Sequence, residues 1–189
     1  MIREIILTTV SADGTPHIAP MGVQVAADRV QILPFKPSTT LDNILATGQA
    51  VVNYVDDVRV FAGCVTGQRD WPLTASVVVK TPRLLSSLSH AEVELFHTGE
   101  DAVRPRLDCR IIHEVQHQAF RGFNRAQHAV LEAAILVSRL NRLPRDKVET
   151  ELAYLTIGLE KTGGPREREA WDWLMAAVKR FYVSGGGSA

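Results

Sequence analysis

A surplus of charge is the first thing this sequence lacks. Its 21 Lys and Arg residues equal its 21 Asp and Glu residues. Broad nucleic-acid binding needs a basic surface to displace counterions, so that class is disfavoured. Cysteine is also scarce. Cys64 and Cys109 make no disulfide framework, match no zinc spacing, and read as two small buried hydrophobes. No segment approaches the roughly 18 apolar residues of a membrane span, and no start combines a charged head, an apolar run and a small-residue cleavage site. A cytoplasmic location is the resulting expectation. No internal repeat is visible. What remains is 189 residues, 46% apolar and 22% charged, an ordinary globular balance for one or two domains.

The first part of the chain reads as short strands. Residues 2–10 are rich in β-branched side chains, and Asp13-Gly14 is a strong hairpin signal. In 17–25, Ala19, Met21, Val23 and Val25 share a face, and Pro20 demands an edge position or a bulge. Residues 30–35 continue as a strand. Leu41, Ile44 and Leu45 then recur at helical spacing, with Thr39 or Thr40 as the cap and Gly48 at the C-terminus. Residues 50–55 read as a buried strand. A short helix with Val58, Phe61, Ala62 and Val65 on one face follows, capped by Asp56 or Asp57. Residues 74–80 suggest a strand, and 91–98 and 106–118 two longer ones. From Asn124 the period becomes helical: 125–143, a second helix from Pro144 to about 162, and a third over 166–182. The expectation is an α+β chain with a barrel in 1–122, a helical region in 123–183 and a flexible tail in 184–189.

The segment Pro34-Phe35-Lys36-Pro37-Ser38-Thr39-Thr40-Leu41-Asp42-Asn43 carries the most chemistry. Unpaired N–H groups and the dipole at a helix start attract anions. Lys36 adds a full charge, Ser38, Thr39 and Thr40 add hydroxyls, and Asn43 is spaced to turn back toward them. Together these suit a phosphate monoester; the plain alternative is an ordinary cap. Met21-Gly22 and Asn53 form a second element. Glycine in a strand admits close approach, and a polar residue in an apolar strand would suit the edge of a heteroaromatic ring. The alternative for Asn53 is a hydrogen bond to a neighbouring loop. His113 and His117 share a strand face but lack a third partner at a convincing spacing, so no metal site is expected. His90, His97 and His128 read as solvated or interface residues. Trp171 and Trp173 read as helix packing.

Several stretches in order resemble one family. They are Thr8-Thr9-Val10 with Asp13-Gly14-Thr15-Pro16, then Ala19-Pro20-Met21-Gly22-Val23 and Pro34-Phe35-Lys36 with Ser38, Thr40 and Asn43. Val51-Val52-Asn53 with Asp56-Asp57 and Phe61 follow, and Phe123-Asn124-Arg125-Ala126 leads into 131–135 and Arg139-Leu140. This pattern resembles the domain of unknown function 447 family, FMN-binding split β-barrels related to pyridoxamine-phosphate oxidase and flavin reductase-like proteins. The resemblance implies a homodimer with FMN in a groove between subunits. Lys36, Ser38, Thr39, Thr40 and Asn43 would hold the phosphate, and Met21, Gly22 and Asn53 would approach the ring. It further implies a flavin-dependent oxidoreductase, with a pterin or one-carbon substrate conceivable, or else a flavin carrier or sensor without turnover. Residues 66–105 match the pattern less well. No catalytic residue is assigned.

Overall fold

The structure is a computed structural model that describes residues 1–185; most of the expected tail, residues 186–189, lies outside the described residues. Contacts divide the chain into two compact units, Met1–Val55 with Trp71–Phe120, and Asp56–Asp70 with the chain from Arg121 onward. Residues 56–70, which the sequence reading placed with the barrel, group with the C-terminal helices.

The first unit begins with strands β1 (Ile2–Val10) and β2 (Pro16–Ala26), paired from Ile2↔Gln24 to Val10↔Pro16. Their turn is held by Ser11 N–H donating to Thr15 O at 3.0 Å and by the Asp13 carboxylate accepting from Thr15 N–H at 3.2 Å. Gly14 supplies the positive φ of 87° that the turn requires. Strand β3 (Arg29–Ile32) pairs with β2 only along Gln24–Ala26. Pro20, opposite Ile6, therefore sits where β2 has one neighbour, and its missing N–H costs the ladder nothing. The expected strand over 30–35 ends early, at Ile32.

Strands β4 (Gln49–Tyr54), β7 (Ser89–Gly99) and β8 (Arg106–Gln116) complete a closed antiparallel barrel of order β1-β2-β3-β8-β7-β4. Strict alternation points Ile5, Leu7, Val23, Val30, Ile32, Ala50, Val52, Ala91, Val93, Leu107 and Cys109 into one core. Helix α1 (Thr39–Thr47) adds Leu41 and Ile44 to that core. Its N-cap is Ser38, not Thr39 or Thr40: the Ser38 hydroxyl accepts from Leu41 N–H at 3.1 Å. Gly48, at φ 70°, closes the helix by donating to Ile44 O.

Alternation should expose the opposite face of β1, β4 and β7. Instead Ile6, Thr8, Val51, Asn53, His90 and Glu92 are all buried there. Residues 71–88 are fastened over this face by its own polar side chains. Thr8 Oγ1 donates to Pro82 O at 2.6 Å. Asn53 Oδ1 accepts from Leu84 N–H at 2.8 Å, and Gln49 Oε1 from Lys80 N–H at 3.1 Å. Glu92 accepts from the N–H groups of Val77, Val78 and Val79. The strand expected over 74–80 does not form, because these N–H groups go to side chains rather than to a ladder. Only the short pair β5 (Leu73–Thr74) and β6 (Arg83–Leu84) is laddered.

The second unit holds α2 (Arg59–Thr66), α3 (Arg125–Val137), α4 (Arg145–Thr162) and α5 (Pro165–Val183). Asn124 caps α3, its side chain accepting from Ala126 and Gln127 N–H. A 3-10 turn at Leu140–Arg142 interrupts the continuous helix expected to residue 143. Helix α2 has Val58 at its N-cap without a side-chain cap. Asp57 instead accepts from Arg59 N–H and pairs with its guanidinium at 2.7 Å. Trp171 and Leu174 are buried in α5. No helix among the described residues is long and apolar enough to cross a membrane.

Candidate functional site

The segment from Leu33 to the start of α1 is held by the β7–β8 turn. Lys36 N–H donates to Val103 O at 2.9 Å, and Lys36 Nζ to Asp101 O at 3.1 Å. The Arg104 guanidinium donates to Leu33 O at 3.1 Å and lies 4.5 Å from the Phe35 ring centroid. The Asp101 carboxylate accepts from Arg104 N–H at 2.6 Å and Val103 N–H at 2.8 Å, and these bonds hold its pKa below the usual carboxylate range. The Lys36 ammonium thus rests on a carbonyl, exposed, and lines an open hollow with Glu100, Asp101 and Ala102.

Helix α1 begins three residues later. Its first N–H groups have no partner within the helix, and the Thr39 side chain is exposed beside them. Ser38 keeps its hydroxyl proton available after capping Leu41. Thr40 is buried, 3% exposed. Exposed cation, helix start and hydroxyls fit a dianionic phosphate. Asn43 does not turn back toward this spot. It is buried, and its Nδ2 donates to Thr9 Oγ1 at 3.0 Å, tying α1 to β1.

The residues assigned to a ring divide differently. Met21 packs against the barrel core, and Gly22 points the other way. A Cβ on Gly22 would stand 3.1 Å from Glu4 Oε1 and 3.3 Å from Ile2 Cγ2, so the close approach at this glycine comes from the neighbouring strand. Asn53 is fully buried. Its Nδ2 lies within 3.2 Å of Ile6 O, Val51 O and Thr8 Oγ1, while its Oδ1 takes Leu84 N–H. With both amide hydrogens spent and no exposed surface, Asn53 offers a ring edge nothing to reach and is a clasp between barrel and loop, the alternative weighed from the sequence.

Sequence reasoning missed a cluster on the outward face of β7 and β8. His90, read as solvated or at an interface, is 1% exposed. Its Nε2 lies 3.2 Å from Glu92 Oε1, and its Nδ1 lies 2.9 Å from His117 Nε2. Burial alone would raise the Glu92 pKa, but the N–H groups of Val77, Val79 and Val78, with His90, hold it below the ordinary range. The available signal was parity: an imidazole and a carboxylate two apart in a strand, alternating with the apolar Ala91 and Val93. Among the described residues no group of three or more His, Cys, Asp or Glu is placed to hold a metal ion.

The closed antiparallel barrel with appended helices defines an α+β fold of the flavin reductase-like kind. A family described as protein of unknown function (DUF447) matches residues 3–118 with its N-terminal domain and residues 124–176 with its second part. The chain belongs to this family. It is similar to an FMN-bound protein of the same family from Methanosarcina mazei, at 22% identity and a TM-score of 0.79, over 93% of this chain and 94% of that one. It also resembles the 2-nitrobenzoate 2-nitroreductase of Pseudomonas fluorescens, at 22% identity and a TM-score of 0.54, over 61% of this chain and 65% of that one. A flavoredoxin from Methanosarcina acetivorans matches at 18% identity and a TM-score of 0.53, over 61% and 69% respectively.

Proposed function

We propose that this chain binds FMN and works as a flavin-dependent oxidoreductase on a small molecule, as a homodimer with the flavin in a groove between subunits. The observation that carries the reading is the exposed Lys36 beside the start of α1, in a chain that matches an FMN-bound family member along nearly its whole length. Lys36, Ser38, Thr39 and the first N–H groups of α1 hold the phosphate. Arg104 and Asp101 keep Lys36 and the loop in place. When bound, FMN supplies hydride and electron transfer. The chain binds its tail, orients it and limits its exposure to water. The substrate side of the proposal, a pterin or one-carbon compound, rests on the family resemblance alone. Bleaching of bound flavin by NADH or NADPH without oxygen distinguishes an enzyme from a carrier or sensor.

The test of the site is a titration of FMN and of riboflavin, which lacks the phosphate, into wild type and Lys36→Ala. Removing one charge-assisted hydrogen bond to the phosphate should weaken FMN binding by about 10- to 100-fold and leave riboflavin unchanged. Equal FMN affinity in both proteins rejects the phosphate assignment, and a monomeric mass by light scattering rejects the shared groove.

A further inference from the structure

The cluster His90–Glu92–His117 forms a chain that runs from a buried carboxylate to an exposed ring. Glu92 is fully buried on β7, and its Oε1 and Oε2 accept the N–H groups of Val77, Val78 and Val79 at 2.6–2.7 Å. His90, two residues earlier on the same face, lies against Oε1. The His117 ring stacks on His90 with centroids 5.0 Å apart and planes 6° from parallel. Just past the end of β8, His117 is exposed. His113 stands edge-on to His90 at 6.3 Å, and its Nε2 is buried with no hydrogen-bond partner among the described residues. A register shift between Glu92 and Val93 interrupts the β7–β8 ladder here. Bulges of this kind re-aim side chains and recur beside active sites.

With both rings neutral, one proton arrangement satisfies every contact. An ionised carboxylate only accepts, so His90 carries its proton on Nε2 and leaves Nδ1 as an acceptor. His117 must then donate from Nε2. Its Nδ1 lone pair is left for whatever binds there. We propose that His117 is an acid–base site: Nδ1 takes a proton from a bound molecule and returns it, while His90 and Glu92 act as positioning residues behind it.

In the forward step the O–H bond of the ligand breaks, the proton bonds to His117 Nδ1, and the ligand keeps the electron pair as an anion. The added positive charge spreads across the Nε2–H···Nδ1 contact to His90 and is balanced by the Glu92 carboxylate. Nothing is oxidised or reduced. The ligand class is a weak oxygen acid, such as a phenol or an enol. Arg83 on β6 lies close enough for its charge to act on His117, and it spends one N–H on Leu84 O at 3.0 Å. Its other donors suit the anion that forms. The charged and titratable groups facing the pair are Glu92 on β7, His113 on β8 and Arg83 on β6. Across from His90, β4 presents the uncharged Asn53, and Glu114 points to the other face of β8. Burial, then Arg83 and His90, hold the His117 pKa below that of a free imidazole, so the ring is a neutral base near neutrality. This site needs no flavin and stands apart from the reading above.

The test uses the full chain labelled with ¹⁵N-histidine, followed by two-bond ¹H–¹⁵N spectra from about pH 5 to 8, where imidazoles titrate. Both His90 and His117 should appear as Nε2–H tautomers, and His117 should take up its proton in a step below the range of a free imidazole. Glu92→Gln should lower that step by about one pH unit, a tenfold drop in proton affinity. His90→Phe keeps a stacked ring and the three backbone contacts of Glu92, and should release His117 into a mixture of tautomers. As ligand probe, para-nitrophenol should ionise more readily with wild type than with His117→Ala, read by its yellow colour. A neutral His117 protonated on Nδ1, a His90 proton on Nδ1, or equal para-nitrophenol ionisation with both proteins overturns the proposal.

Discussion

Replacing Glu92 by Gln should cost the barrel unit about 3–6 kcal/mol. The wild-type carboxylate accepts four hydrogen bonds: Val77 N–H at 2.6 Å and His90 Nε2 at 3.2 Å on one oxygen, Val78 and Val79 N–H at 2.7 Å on the other. An amide keeps one acceptor oxygen and turns an NH₂ toward donors at the other position. At least two charge-assisted bonds disappear, each worth about 1.5–3 kcal/mol. Glu92 is 0% exposed, so water cannot replace them without the 77–79 segment lifting away. Its pKa is lowered by folding. The stability it contributes is therefore present above the unfolded glutamate pKa, near 4.5, and is lost as pH falls through the folded value. Urea unfolding at neutral pH reads the cost, and hydrogen exchange at Val77–Val79 locates it. The same melt repeated in acid should show a smaller difference between variant and wild type. A loss under about 1 kcal/mol with unchanged exchange refutes the account, since that is an ordinary average for a point substitution rather than a broken buried network.

Asn53→Ala removes the clasp between β1, β4 and Leu84 and leaves the Leu84 N–H buried without its acceptor. A loss of about 2–4 kcal/mol is expected in urea unfolding, with fluorescence or exchange changes confined to 71–88; a variant as stable as wild type contradicts that role. In the helical unit, a Cβ at Gly158 would sit 3.3 Å from Arg125 O, where α4 passes the start of α3. Gly158→Val should destabilise this unit by about 1–3 kcal/mol in thermal unfolding, and a neutral effect means the backbones are not in close approach.

Much of the site loop was legible before the fold. Lys36, Ser38 and the start of α1 follow from local rules: a break in strand pattern, a cluster of short hydroxyls and a helical recurrence at Leu41 and Ile44. What local rules misassigned were residues with partners far along the chain. Asn43 faces Thr9 because α1 packs against β1 at the barrel core, and Asn53 is held by Ile6, Thr8 and Leu84. Arg104 and Asp101, which brace Lys36, carried no signal, since nothing in a short polar turn says which loop it will meet.

Alternation alone determined the barrel interior: Ile5, Leu7, Val52, Val93 and Leu107 repeat at a period of two, and a pleated strand has only two faces. Local turn and cap chemistry likewise determined the β1–β2 hairpin, the end of α1 at Gly48 and the start of α3 at Asn124. Only tertiary structure decided the second, outward face. Val77, Val78 and Val79 read as a strand, yet their N–H groups were claimed by a carboxylate 13 to 15 residues away. A buried N–H must be paired, but which acceptor pairs it depends on closure of the whole barrel. The same closure brought His90 and His117, 27 residues apart, within hydrogen-bond distance of each other.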